Sequence, residues 1–62
     1  MPTDLAELSS ITASLEQITA RIGAMAEQAN DQQEETVSSE LFSVERALQG
    51  ATRRLGRVVA SR

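Results

Sequence analysis

Two seven-residue hydrophobic repeats run through this chain in opposite senses. The first reads Leu8, Ile11, Leu15, Ile18, Ile22, Met25 and Ala29 in steps of three and four; the second reads Val37, Leu41, Val44, Leu48, Ala51, Leu55 and Val58 in steps of four and three. Such spacing puts each set on one stripe of an α-helix. If the chain folds back between them, the stripes meet in register: Ala29 faces Val37, Met25 faces Leu41, Ile22 faces Val44, Ile18 faces Leu48, and so on to Leu8 and Val58. The two residue numbers in each pair have a constant sum, which is the condition for an antiparallel pair. The fold class is therefore all-α, an antiparallel two-helix hairpin of coiled-coil type occupying residues 1–62 as one unit. Helix 1 is expected at about 4–29, the turn at 30–32 and helix 2 at about 32–60. The expected hairpin core is Leu8, Ile11, Leu15, Ile18, Ile22 and Met25 from the first arm, with Val37, Leu41, Val44, Leu48, Leu55 and Val58 from the second.

One buried seam is a small core. The 62 residues include one Phe and no Tyr, Trp or Cys, so neither aromatic anchors nor disulfides supplement it. Setting buried area against chain entropy for a lone hairpin of about 25 residues per arm gives a balance near zero. A second copy is the simplest source of further burial, because two hairpins side by side make a four-helix bundle.

Helix-start signals support two helices. Asp4 is followed by Glu7, and Asp31 by Glu34, both in the spacing of a capping box with Asp replacing Ser or Thr. Asn30 is the residue expected to take the left-handed conformation that closes helix 1. Asp31, Glu34 and Glu35 would then lie in the first turn of helix 2, and Arg53, Arg54 and Arg57 toward its end, as the macrodipole favours. The competing architecture is a single long helix in a coiled coil, since no Gly or Pro interrupts Gln28 to Thr36. Against it, the wholly polar run from Asn30 to Thr36 would leave two turns of such a helix without a seam.

The positions flanking the seam suggest where a partner packs. One flank pairs Leu5 with Val59, Thr12 with Thr52, Thr19 with Glu45 and Ala26 with Ser38, and is mostly apolar or small. Beside it lie Ser9, Gly23, Gly56 and the one aromatic residue, Phe42. A second helical layer approaches closely where side chains are small, so Leu5, Ala26, Phe42 and Val59 are the candidate partner interface. Phe42 fits this assignment because it lies outside the seam and would otherwise leave a ring in water. Gly23, Gly50 and Gly56 each cost a helix about 1 kcal/mol relative to Ala, which either marks close backbone contact or reflects tolerance on an exposed face.

Charge divides along the chain. All nine acids lie between Asp4 and Glu45, whereas Arg46 to Arg62 carries five arginines and no acid. Arg46, Arg53 and Arg57 form a ridge with Gln49 and Phe42 and are the candidate phosphate contacts if the chain binds RNA or DNA as a dimer. The acidic balance, net −3, and the lack of interleaved aromatics make this the second reading. Membrane binding is disfavoured, because the apolar residues near the C-terminus are already committed to the seam. No leader or spanning segment is visible, which points to the cytoplasm.

Catalysis is disfavoured more strongly. Without His, Cys, Tyr or Lys the available acids and bases are carboxylates, and a two-helix seam has no enclosed pocket to shift their pKa values. Glu7, Glu16, Glu27, Glu34, Glu40 and Glu45 fall off the apolar stripes, so no inward-facing metal set is expected, and no cofactor is implied. The functional expectation is a non-catalytic protein-protein interaction module, a small assembly, adaptor or regulatory subunit that pairs with itself or with another helical protein.

Overall fold

The computed structural model describes residues 3–61 and consists of two helices packed against each other, α1 (Leu5–Asp31) and α2 (Glu35–Ala60). No strand occurs among the described residues. The chain breaks at residues 32–34, so it is a hairpin and not one continuous helix.

α1 begins as its sequence predicts: the backbone N–H of Glu7 donates to Oδ1 of Asp4, at 3.0 Å, from an N-cap in extended conformation. This satisfies one of the donors left free at a helix start. Its end differs from expectation. α1 continues through Asn30 to Asp31, and Gln33 takes the left-handed conformation, with φ 62°. The N–H of Glu34 donates to the carbonyl of Ala29 at 2.9 Å, and the N–H of Gln33 to that of Asn30 at 3.0 Å. These two bonds form a Schellman closure, which occupies carbonyls that a helix end otherwise leaves free. Asp31 is consequently spent inside α1, and the expected Asp31–Glu34 capping box does not form; Glu34 is the N-cap of α2 and makes no side-chain capping bond.

Glutamine is an uncommon occupant of that left-handed site, because its Cβ crowds the backbone there by an amount on the order of 1 kcal/mol. Gln33→Gly is expected to raise the thermal midpoint by a few degrees, and Gln33→Val to lower it, as read by circular dichroism melts at fixed protein concentration. Equal midpoints for all three chains would show that the turn does not hold this conformation in solution.

The seam that joins α1 to α2 is built from small side chains. Thr19, Gly23, Ala26 and Ala29 of α1 and Ser38 of α2 are buried. Leu5, Leu8, Thr12, Leu15 and Ile22 on α1, with Leu41, Glu45, Leu48, Thr52, Leu55 and Val59 on α2, are half-buried around them. Threonine is admitted because its hydroxyl is satisfied within its own helix. Oγ1 of Thr12, Thr19 and Thr52 donates to the carbonyls of Leu8, Leu15 and Leu48 at 2.8, 2.6 and 2.8 Å. Ser38 does the same to Glu35 at 3.1 Å. With the hydroxyl turned back along the helix, the contact surface that remains is short and partly apolar.

Register follows the sequence pairing. Met25 and Ala29 share one groove with Val37 and Leu41, and Thr19 and Glu16 share another with Glu45, Gln49 and Thr52. What departs from expectation is the rotation of each helix about its axis. The pairs read as a smooth flank, Leu5–Val59, Thr12–Thr52, Thr19–Glu45 and Ala26–Ser38, are the centre of the hairpin contact. Six of the twelve residues assigned to the hairpin core, Ile11, Ile18, Met25, Val37, Val44 and Val58, are instead 44–56% exposed. The physical reason is close approach: small residues let two helices come together, whereas a seam of Ile, Met and Val would hold them apart.

Candidate functional site

The rotation leaves this hairpin with an apolar stripe and almost no core. Its buried hydrophobic residues are Ala26, with no exposed surface, and Ala29, at 7%; among the described residues no large side chain is fully buried. Ile11, Ile18 and Met25 recur every seven residues on α1, and Val37, Val44, Ala51 and Val58 do so on α2, all exposed. A seven-residue period keeps each set on one side of its helix. Between the two rows lie the half-buried Leu8, Leu15, Ile22, Leu41, Leu48 and Leu55. One long face of the hairpin is therefore continuously aliphatic.

The size of the surface agrees with that picture. The chain exposes 4822 Å² for a mass of 6.7 kDa, whereas a compact monomer of that mass exposes about 3,900 Å². The excess of about 900 Å² is close to the ~800 Å² that each partner contributes to a stable protein interface. Shape tells the same story. The radius of gyration is 14.4 Å and the extents are 48 × 16 × 14 Å, against about 10.5 Å expected for a compact domain of this length.

The sequence-predicted partner interface falls elsewhere. Leu5 and Val59 are half-buried and Ala26 fully buried, all within the seam and so already used inside one hairpin. Phe42 is half-buried; it precedes Gln49 by one heptad and so lies on the side away from the aliphatic stripe. That opposite side carries an open polar groove lined by Glu16, Thr19, Ala20, Glu45, Gln49, Thr52 and Arg53. Glu45, placed by its sequence position off the apolar stripe, is half-buried in the seam, and its carboxylate fills the space that a Cβ on Gly23 would need. That neighbour is the end of a flexible side chain and not backbone, so Gly23 leaves room for the carboxylate without marking close backbone contact. Gly56 has nothing within 4 Å of such a Cβ, and Gly50 only the Arg53 guanidinium at 3.8 Å, so neither marks a helix contact.

Arg46, Arg53 and Arg57 are exposed along α2. Arg53 shares its groove with Glu16 and Glu45, so a phosphate arriving there would meet two carboxylates as well as one guanidinium. Among the described residues no group of three or more His, Cys, Asp or Glu could hold a metal ion. No helix among them is long and apolar enough to cross a membrane.

The signal that sequence reading missed was the set of threonines. Thr12, Thr19 and Thr52 belong to the flank read as mostly apolar or small, while the seam itself is assigned to the larger aliphatic residues one position round each helix, such as Ile11, Ile18 and Met25. The threonines' i−4 partners, Leu8, Leu15 and Leu48, were visible in the sequence, and back-bonding to such a carbonyl is what makes Thr acceptable between helices. No protein-family model, curated protein or solved structure is significantly similar to this chain.

Proposed function

We propose that this chain is a non-catalytic interaction module, a helical hairpin that pairs with a second copy of itself through the exposed aliphatic stripe to make a four-helix bundle. The observation that carries the reading is an apolar face running along a hairpin in which, among the described residues, no large side chain is completely buried. Stripes with a/d spacing on all four helices of a bundle point at the common axis. Each such residue then shares its contact between its own hairpin and the neighbour, which accounts for Leu15 and Leu48 being half-covered and Ile18 and Val44 open in a single chain. The role that follows is assembly: the dimer is a rigid rod presenting polar outer faces to a larger complex, as an adaptor or regulatory subunit does.

Sedimentation equilibrium tests this directly. Across a concentration series the molar mass is expected to approach twice the chain mass of 6.7 kDa, and the melting midpoint to rise with concentration, because association is linked to folding. A helical monomer at every concentration would overturn the reading. A monomer with little helix would replace the second copy with a different helical protein as the occupant of the stripe.

A further inference from the structure

We infer that the two hairpins pair antiparallel, with their turns at opposite ends of the bundle and the two-fold axis crossing near Ile18; the inference rests on the dimer reading above. Two independent features carry it.

The first is charge along the hairpin axis. The half nearest the turn, residues 19–47, holds six carboxylates (Glu27, Asp31, Glu34, Glu35, Glu40 and Glu45) and two arginines, Arg21 and Arg46. The other half holds four arginines, Arg53, Arg54, Arg57 and Arg62, against three carboxylates, Asp4, Glu7 and Glu16. The hairpin is thus negative at its turn and positive toward its open end, where α2 carries Arg53, Arg54 and Arg57. Copies aligned turn to turn would crowd both sets of six carboxylates at one end, with only two arginines per chain in that half. Reversing one copy lays each acidic end along the other's arginines. Any one such surface pair is weak, but all act in the same sense across neighbouring helices, whose spacing of about 8–10 Å is comparable to the screening length of about 8 Å at physiological salt.

The second feature is the order of side-chain sizes along the stripe. On either side of Ile18 the register places Val44 and Ala51, then Met25 and Ile11, then Val37 and Val58. In a parallel pair each rung meets its own copy, so Ala51 faces Ala51 and leaves a void of the kind that close-packed interiors avoid. About an axis at Ile18, Ala51 meets Val44, Met25 meets Ile11, Val37 meets Val58, and Ile18 meets itself. Volumes are then nearly even from rung to rung, as interdigitating layers require.

The chain has no cysteine, so one introduced cysteine carries one spin label, and every distance between labels in the dimer is intermolecular. Asn30 is exposed in the last turn of α1, and its side chain makes no hydrogen bond among the described residues. With Asn30→Cys labelled, pulsed dipolar spectroscopy is expected to give a separation of about 40 Å, set by the helix rise on either side of Ile18. Chains labelled at Ser10→Cys, mixed with chains labelled at Asn30→Cys, should add a short separation, under about 25 Å. A short Asn30–Asn30 distance and a long mixed distance would overturn the antiparallel arrangement and leave the dimer standing. Absence of any intermolecular distance, with a monomeric mass on the same samples, would overturn the dimer reading and this inference together.

Discussion

Ile18→Asp is expected to leave a monomeric chain with most of its helix signal lost, although Ile18 is 45% exposed in the single hairpin. The size of that loss separates two pictures of the same structure. If the hairpin were the final state, a substitution at a half-exposed position would change stability by about 0.5 kcal/mol or little more. If Ile18 lies at the centre of a dimer core, each chain loses a buried Ile, at roughly 2–5 kcal/mol, and gains a carboxylate with no partner in an apolar layer. Both copies carry the change, and at a two-fold axis the two carboxylates also face each other. A penalty of even 4 kcal/mol per dimer weakens association about a thousandfold, and a chain this short has no second core to fall back on. Sedimentation and far-ultraviolet circular dichroism at matched concentrations read both consequences. Ile18→Ala should give an intermediate dissociation constant, and Gln17→Asp, on an exposed site beside the stripe, should stay dimeric and helical. A dimeric, fully helical Ile18→Asp chain would remove the stripe from the interface.

How much of this was legible before the structure depends on the physical range of each signal. Capping at Asp4 is local, and the Asp4–Glu7 bond appears as read. Hairpin register is set by periodicity over whole helices, and Met25 and Ala29 do fall beside Leu41 and Val37. Rotation of a helix about its own axis is different. A stripe with a/d spacing is about two residues wide, so both the pair centred on Ile18 and Leu48 and the pair centred on Thr19 and Glu45 agree with the same repeat. Choosing between them requires knowing that a threonine hydroxyl is satisfied at i−4 and that Gly23 leaves room for the Glu45 carboxylate; neither shows up in a hydrophobicity pattern. The turn was misread for a related reason. Asn30 has the stronger intrinsic preference for the left-handed conformation, but closing the helix at Ala29 and Asn30 puts that conformation at Gln33. Tertiary geometry fixed where the chain could reverse, and the residue standing there accepted the strain.

Ala26→Leu tests the rotation itself. Ala26 has no exposed surface and lies in a seam lined by Gly23, Ala29 and Ser38, all buried, so no neighbour can shrink to receive three more carbons. A leucine there must wedge α1 from α2, and overpacking of this kind typically costs about 1–3 kcal/mol. Separation of the helices also strips cover from Thr19 and Ser38, so the cost is expected at the upper end of that range, lowering the thermal midpoint by some 10 °C or more. Had the hairpin closed on Ile18 and Leu48 instead, Ala26 would sit on a flank, and a larger apolar residue there would be neutral or would extend the buried surface. The contrast with Met25→Leu is the control. Met25 is 56% exposed on the stripe, and exchange of Met for Leu conserves volume, so that chain should melt within a few degrees of the parent. Destabilisation by Ala26→Leu with Met25→Leu unaffected places the small residues between the helices of one hairpin; the reverse order would turn both helices back toward the larger side chains and leave the dimer without its interface.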